Sequence, residues 1–330
     1  MPGQKSAQVS RVIILMFLLL GAVYLTGCTD NSTPARPAAS ITEFPVAGDA
    51  SPEAITAGPD GNLWFTEKVG NRIGRITPQG KTVEFSLPAA NRFPEAITAG
   101  PDGNLWFTEL AGSIGRITVQ GAITEFPLLT PNKLPQGIAT GPDGNLWFTE
   151  LAGSIGRITV QGTITEFPLL AAPSAAQAIT SGADGHLWFT DSATGTIGDM
   201  TPGGPVKAFP LPTSNGFPEG IARGADGALW FAENSGNQIG RITMQGKITE
   251  YHIPSQRCGV TGITTGPDGA LWFTEFADNK IGRITMQGGI TEFSLPASGE
   301  APKNITAGPG GTLWFTESAS NQIGRLTPGK

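Results

Sequence analysis

The chain has 330 residues, of which 39% are hydrophobic and 15% charged, and its formal net charge at pH 7 is −6. An acidic chain with few charged residues excludes the basic surface that nucleic-acid-binding proteins require, so we expect no nucleic-acid partner. The 46 Gly and 27 Pro recur at regular spacing, which favours an all-β fold with many turns over a low-complexity segment.

Residues 1–27 have the pattern of an export signal. Lys5 and Arg11 precede an apolar run from Val12 to Leu25, which is too short to span a bilayer comfortably. The following Leu25-Thr26-Gly27-Cys28 is similar to the lipobox of bacterial lipoproteins, in which the cysteine is lipidated. This resemblance implies an exported protein anchored to the bacterial cell envelope, at its outer surface or in the periplasm, by a lipid on Cys28. An ordinary signal peptide with a chance cysteine is the alternative.

Residues 28–40 lack hydrophobic periodicity and contain small, polar and proline residues, so we predict a flexible tether between the lipid and the folded domain. Cys258 is the second cysteine of the chain. No intramolecular disulfide is therefore available if Cys28 is acylated, and we expect Cys258 to be a thiol without a role.

A ten-residue segment begins a series of seven similar units: Gly58-Pro59-Asp60-Gly61-Asn62-Leu63-Trp64-Phe65-Thr66-Glu67. All seven tryptophans belong to it and follow one another at intervals of 41 or 42 residues: Trp64, Trp106, Trp147, Trp188, Trp230, Trp272 and Trp314. A period in the low forties indicates a repeat array built from one supersecondary unit.

Each unit contains four short runs of β-forming residues, seen first as 54–57, 63–67, 72–77 and 82–85. Gly58-Pro59-Asp60-Gly61 and Pro78-Gln79-Gly80-Lys81 supply the turn residues that close the first and last hairpins. Four antiparallel strands in forty residues are typical of a propeller blade, so residues 41–330 are predicted to form one seven-bladed β-propeller.

The two ends of the array predict how the ring closes. Residues 41–45 form a lone strand of the fourth type, whereas the last unit contains three strands and ends near Thr327. We therefore expect the N-terminal strand to complete the last blade, which leaves few open sheet edges.

Features shared by the units are best explained by packing. The Trp and the following Phe lie on opposite faces of the second strand, so both are expected between neighbouring blades. Six units end the second strand with Glu and carry Ile-Gly-Arg on the third, while the fourth unit has Asp191 and Asp199 at these positions. The paired change suggests either a Glu and Arg interaction across the hairpin or an Arg stacked on the Trp. A functional ring of carboxylates is a third interpretation.

The longer loops all fall on one face of the predicted ring, which we call the top face, and binding is expected there. The units differ most at the residue that enters each first strand, just before the Ala-Ile, Gly-Ile or Asn-Ile pair. We call these seven positions the mouth residues: Glu53, Glu95, Gln136, Gln177, Glu219, Thr261 and Lys303. Their carboxylates could converge on a divalent cation, or Glu53 and Lys303 could neutralise each other in a solvated funnel.

Other chemical signatures are weak. His186 and His252 are the only histidines and lie in different blades, so neither a two-histidine metal site nor a histidine-based dyad is expected. The chain has no cysteine pair for zinc, and the Gly308-Pro309-Gly310-Gly311 segment leads into a strand, which indicates a turn and not a phosphate-binding loop.

The repeated phrase, together with Ile-Gly-Arg-Ile-Thr and Ile-Thr-Glu-Phe, closely resembles the repeat of the streptogramin B lyases, the virginiamycin B lyase family. The resemblance covers residues 41–330. It implies a seven-bladed propeller with a magnesium-dependent site at its mouth that opens a cyclic depsipeptide by elimination at the ester bond. It also implies histidines at two mouth positions, where this chain has Thr261 and Lys303, and an aromatic residue where it has Glu53.

Two hypotheses follow for function. In the first, the chain is a membrane-anchored, monomeric propeller that binds a peptide, glycan or protein at its top face and lacks lyase activity. In the second, it is a lyase of this family that uses Mg²⁺, with Lys303 or Glu53 in place of the missing imidazole base.

Overall fold

The structure of the protein is a computed structural model that describes residues 39–169, 174–256 and 258–329. The predicted signal segment, Cys28 and most of the predicted tether lie outside the described residues. Within the described part of the chain, no helix has the length and apolar character needed to cross a membrane.

The described residues form seven four-stranded antiparallel sheets and one short 3-10 turn, Pro309–Gly311. Each sheet is one blade, and the blades are numbered in chain order. The strands of blades 1 to 3 are β2 (Pro52–Ala57), β3 (Leu63–Glu67), β4 (Arg72–Ile76) and β5 (Thr82–Ser86); β6 (Pro94–Ala99), β7 (Leu105–Glu109), β8 (Ser113–Ile117) and β9 (Ile123–Pro127); β10 (Pro135–Thr140), β11 (Leu146–Glu150), β12 (Ser154–Ile158) and β13 (Ile164–Pro168). Those of blades 4 to 6 are β14 (Ala176–Ser181), β15 (Leu187–Asp191), β16 (Thr196–Met200) and β17 (Val206–Pro210); β18 (Pro218–Arg223), β19 (Leu229–Glu233), β20 (Gln238–Ile242) and β21 (Ile248–His252); β22 (Val260–Thr265), β23 (Leu271–Glu275), β24 (Lys280–Ile284) and β25 (Ile290–Ser294).

Blade 7 is assembled from both ends of the propeller. It contains β26 (Pro302–Gly308), β27 (Thr312–Glu317), β28 (Gln322–Thr327) and, as its outermost strand, β1 (Ser40–Pro45). Strand β1 pairs antiparallel with β28, so that Phe44 lies opposite Ile323. The ring of Phe44 stacks on Trp314 with centroids 5.5 Å apart. The predicted closure of the last blade by the N-terminal strand is therefore confirmed.

The first strand of each blade contacts the first strands of both neighbouring blades, so these seven strands line the centre of the ring. The first-to-second and third-to-fourth turns lie on one face, which we call the bottom face. The loops from the fourth strand to the next blade lie on the top face, as the sequence predicts. The mouth residues therefore stand at the top end of the central channel.

The core consists of aromatic layers between blades. Every Trp and the Phe after it on the second strand are buried. Each Trp stacks on an aromatic ring of the fourth strand, as Trp64 does on Phe85 at 5.5 Å, and each Phe covers the glycine of the third strand. A Cβ atom at Gly74 would lie 2.1 Å from the Phe65 ring, so only glycine fits there. The expected burial of the tryptophans between blades is confirmed.

Of the two packing interpretations for the repeated arginine, the stacked one is correct. The Arg75 guanidinium lies over the Trp64 ring, 5.4 Å from its centroid, and its Nη1 donates to the Val119 carbonyl of the next blade at 2.9 Å. Glu67 lies opposite Arg72, whereas Arg75 lies opposite Trp64, farther along the same hairpin. The predicted pairing of the repeated Glu with the repeated Arg is therefore wrong, because the register places them at opposite ends of the hairpin.

Candidate functional site

A β-bulge positions each mouth residue. In blade 1, Pro52 lies opposite Glu67 but Ile55 lies opposite Phe65, so the first strand has one residue more than its partner at Glu53 and Ala54. The same shift occurs in the first strand of all seven blades. Since a bulge redirects the side chains beside it, this shared irregularity sets the direction of the side chains at the mouth.

A buried threonine hydroxyl holds the bulge and joins it to the next blade. Thr66 Oγ1 accepts a hydrogen bond from Ala54 N at 3.0 Å and donates to the Glu95 carbonyl at 2.8 Å. Six second strands contain this hydroxyl, at Thr66, Thr108, Thr149, Thr190, Thr274 and Thr316. Blade 5 has Ala232 instead. These threonines were not predicted from the sequence, although a hydroxyl among the buried apolar residues of the second strand was a usable signal.

An ion-pair network links the mouth across blades 7, 1 and 2. The Lys303 ammonium donates to the Glu53 carboxylate, and Lys68 Nζ lies 2.7 Å from Glu95 Oε2 and 3.6 Å from Glu53 Oε1. Lys68 follows the second strand of blade 1, where the other blades have Leu110, Leu151, Ser192, Asn234, Phe276 and Ser318. Lys68 was not predicted as a site residue, but this position varies between units as clearly as the mouth positions do.

The two carboxyls of this network titrate differently. Burial would raise the pKa of Glu53, which is 5% exposed, but the ammonium groups of Lys303 and Lys68 outweigh it and lower the pKa to about 2. Burial raises the pKa of Glu95, and the negative charge of Glu53 adds to that rise against the effect of Lys68. Glu53 is therefore a fixed anion at neutral pH, while Glu95 holds a proton more readily.

Glu219 reaches the same cluster from blade 5. Burial raises its pKa to about 7, with Glu53 and Glu95 also raising it and Lys303 lowering it. Its carboxyl is thus within electrostatic reach of side chains from blades 7, 1 and 2. The carboxyls of Glu53, Glu95 and Glu219 and the Lys303 ammonium therefore influence one another's charge at the top of the channel.

The other three mouth residues are neutral and less directly involved. Gln177 Nε2 donates to Ser192 Oγ at 3.0 Å within its own blade. The Thr261 hydroxyl lies 2.9 Å from Thr274 Oγ1 and donates to the Lys303 carbonyl at 2.6 Å, so it supports the backbone of the mouth. For Gln136, the contact seen is through its carbonyl, which accepts from Thr108 Oγ1 at 2.6 Å.

The mouth residues do not fit a Mg²⁺ site as they are arranged here. Mg²⁺ requires oxygen ligands in near-octahedral geometry, but Glu53 and Glu95 are already bonded to lysine ammonium groups. Among the described residues, the two clusters whose ligand atoms lie within 4.8 Å of one another are elsewhere: Asp184, His186 and Asp199, and Cys258, Glu275, Asp278 and Glu292.

A second set of acids is buried outside the mouth. In six blades the second strand ends in a fully buried Glu, and a glutamate of the fourth strand lies near it. Burial raises the pKa of Glu109 and of Glu233 to about 8 and that of Glu317 to about 9, with the fourth-strand carboxylate adding to each rise. Blade 4 differs, because Asp191 accepts hydrogen bonds from Ser174 Oγ and three backbone N–H groups. These acids belong to the packing of the top loops.

Neither histidine lies at the mouth. His186 stands in the first turn of blade 4 on the bottom face, and His252 is the exposed last residue of β21 on the outside of blade 5. The mouth therefore has no imidazole, as the sequence indicates.

Comparison with known proteins agrees with this architecture. The sequence model of the Virginiamycin B lyase family matches residues 6–180 and 171–330. A virginiamycin B lyase of Bordetella pertussis is 46% identical over 55 residues, a match that covers 16% of this chain and spans only 17% of that relative.

Solved structures match over a much longer span. A streptogramin B lyase structure has a TM-score of 0.85 and 39% identity, covering 88% of this chain and 98% of the other. The virginiamycin B lyase of Staphylococcus aureus has a TM-score of 0.84 and 40% identity, covering 88% and 99%. A catalytically inactive histidine-to-alanine variant of the latter, crystallised with quinupristin, gives the same TM-score and identity. This chain belongs to the virginiamycin B lyase family.

Proposed function

We propose that the protein is a ligand-binding member of the family that holds a peptide at its top face and does not open it. The observation that carries this proposal is the ion pair between Lys303 and Glu53 at two mouth positions. These are the two residues that could have replaced an imidazole base, and each engages the other.

An elimination at neutral pH needs a base that can accept a proton from carbon. Glu53, with a pKa of about 2, is a weak base, and the Lys303 ammonium donates its hydrogen bond to Glu53. In the S. aureus relative, replacement of a histidine by alanine gives a protein described as catalytically inactive. This chain has no histidine at its mouth.

The charge distribution at the mouth favours a ligand rich in N–H groups. Blades 7, 1 and 2 carry the paired charges, whereas blades 3 to 5 present two glutamines and the Glu219 carboxyl. An amine or amide of a peptide approaching Glu219 would favour its ionised form, since its pKa is about 7. A peptide offers both amide donors and an amino group, and it fits this surface better than a neutral glycan does.

The test uses quinupristin as the peptide probe, with and without Mg²⁺, and the S. aureus enzyme as the positive control. Calorimetry measures binding, and chromatography with fragment-ion analysis measures ring opening, because elimination leaves the mass unchanged. We expect saturable binding and no opened product. Opened product would overturn the proposal, and retention of full affinity in Glu219→Gln would move the binding site away from the mouth.

The lyase function is the second candidate, and one observation favours it. Glu219 has a carboxyl with a pKa of about 7 at the mouth, which suits a general base at neutral pH better than Lys303 or Glu53 does. If quinupristin is opened, loss of turnover in Glu219→Gln with little change in affinity would assign the base to Glu219. Loss in Lys303→Ala with Glu219→Gln active would assign it to Lys303. Mg²⁺ dependence is measured in the same assay.

We also propose that the chain is exported and anchored to the cell envelope by a lipid on Cys28, because residues 1–28 follow the lipoprotein signal pattern. Detergent phase partitioning of the full-length chain, expressed in a bacterial host, tests this. We expect the wild type in the detergent phase and Cys28→Ser in the aqueous phase. Equal partitioning of the two would refute the anchor.

A further inference from the structure

At the bottom face, blade 4 lacks the arginine that stacks on tryptophan in the other six blades. In those blades a guanidinium lies over the Trp ring of the same blade, at 5.4 to 5.9 Å from its centroid. In four of them it also lies within 4.0 Å of the aspartate in the first turn. The fold thus provides a place for a cation against an indole and a carboxylate.

In blade 4 the guanidinium is absent, and side chains that can bind a metal ion stand in its place. Asp199 replaces the arginine, and His186 replaces the asparagine found in the first turn of blades 1 to 3. His186 Nδ1 lies 2.7 Å from Asp199 Oδ1 and 3.8 Å from Asp184 Oδ2. One imidazole and two carboxylates therefore meet where six blades hold a positive charge.

The aspartate of the turn is held in place by its other contacts. Asp184 Oδ1 accepts hydrogen bonds from the His186 backbone N–H and from the Trp188 indole, both of which also orient the turn. Asp184 and Asp199 together contribute two negative charges. Lys207 lies opposite Asp199 in the sheet, but its ammonium is placed over the Phe209 ring, 4.5 Å from the centroid. No ion pair joins Lys207 to either aspartate among the described residues.

We propose that Asp184, His186 and Asp199 form a site for a borderline divalent metal ion such as Zn²⁺. An imidazole with carboxylates suits such ions, and Zn–N and Zn–O bonds of about 2.1 Å place tetrahedral ligands roughly 3.4 Å apart. The observed separations of 2.7 and 3.8 Å lie on either side of that value. The three side chains are partly exposed, so an ion has access and water can complete its coordination.

The site lies on the face opposite the mouth and does not depend on the proposed function. Its ion would take the place of the missing guanidinium and join the first turn of the blade to the third strand. The other cluster of this kind, around Cys258, already contains the Lys280 ammonium, 2.8 Å from Asp278 Oδ2. It is a weaker candidate, but it must be removed from the test because a thiol binds Zn²⁺.

The test is Zn²⁺ calorimetry on protein without a polyhistidine tag, in a Cys258→Ser background. Serine is the matched replacement because blade 4 has Ser174 at the same position. Two variants restore what the sister blades contain, His186→Asn and Asp199→Arg, so both are expected to fold. We expect one Zn²⁺ per chain, a higher thermal midpoint with Zn²⁺, and at least about tenfold weaker binding in each variant.

Other outcomes would overturn the proposal. One is the absence of saturable Zn²⁺ binding in the Cys258→Ser background. The other is a Zn²⁺ affinity in His186→Asn and Asp199→Arg that equals the affinity of that background protein. His252→Asn serves as the matched control for the second histidine, and its affinity should equal that of the background protein. Binding lost in His252→Asn but kept in His186→Asn would place the metal outside blade 4.

Discussion

Replacing Glu233 by glutamine should make the protein more stable, and the gain should increase with pH. Glu233 is 0% exposed, and both of its carboxyl oxygens lack a hydrogen-bond partner among the described atoms. Burial, together with the negative charge of Glu250, raises its pKa from 4.5 to about 8. Glutamine has the shape of the protonated acid and no charge, so it should preserve the packing.

The sign and size follow from proton linkage. Between pH 4.5 and about 8 the folded state binds this proton and the unfolded state does not, so the free energy of unfolding falls as pH rises. The slope for one such group is about 1.4 kcal/mol per pH unit. Between pH 4.5 and about 8, the free energy of unfolding therefore falls by about 2 to 5 kcal/mol in total. The upper value applies if water does not reach the site. Glu233→Gln removes this loss.

Urea unfolding of wild type and variant at several values between pH 5 and pH 9 measures the effect. The difference in unfolding free energy should grow up to about pH 8 and then level off. Glu250→Gln should shift the upper end of the window to lower pH, because Glu250 contributes to the raised pKa of Glu233. Asp49→Asn, at an exposed position, controls for the removal of one charge. A constant difference for Glu233→Gln across the range would refute the reasoning.

Three further predictions concern the closure, the blade core and the mouth. Deletion of residues 41–46 leaves Trp314 without its stacked Phe44, and should lower the thermal midpoint by roughly 10 °C or more in calorimetry; an unchanged midpoint would disprove the closure. Gly156→Ala places a methyl group 2.0 Å from the Phe148 ring and should lower the free energy of unfolding in urea by about 3 kcal/mol. The loss should exceed that of Gly144→Ala, whose added Cβ meets nothing within 4 Å although its positive φ adds some strain. Lys68→Leu copies the residue of blades 2 and 3 but leaves Glu95 without the ammonium group that it contacts. It should lower the free energy of unfolding by about 2 to 4 kcal/mol at pH 8, and by less at pH 5. An equal loss at both pH values would contradict the role of this ion pair.

Much of the fold could be predicted because each unit repeats the same physical constraints. The Trp and the following Phe of the second strand, with turn glycines at fixed spacing, determine the blade, and seven repetitions determine the ring. The lone strand at residues 41–45 predicted the closure, and β1 extends it by one residue to Ser40. For the repeated Arg, the sequence left two packing interpretations, pairing with Glu or stacking on Trp. It could not decide between them because it shows that two residues vary together but not the hairpin register that separates them.

The site was less predictable, and the reason lies in where its contacts come from. The variation between units located the mouth residues, but Lys68 acts on Glu95 of the next blade, a contact that depends on the angle between blades. The threonine hydroxyls were hidden for a similar reason, because Thr66 bonds to a carbonyl 29 residues away. Contacts within a blade follow from local pattern, whereas contacts between blades require the assembled ring.

Different residues hold the backbone of the mouth and determine its charge, so the mouth side chains can vary between blades of the same structure. Residues 105–129 and 146–170 differ at a single position, yet the mouth residues of the two blades that contain them are Glu95 and Gln136. The backbone of the mouth is fixed by a bulge and by buried threonine hydroxyls of the second strands. Among the mouth side chains, Thr261 takes part in this support through its hydroxyl. At the other mouth positions, a substitution therefore changes the charge of the mouth while the bulge and the threonine hydroxyls are kept. The same separation accounts for an ion pair between Lys303 and Glu53 at positions where the resemblance implies a histidine and an aromatic residue, so the family fold is kept with different side chains at its mouth.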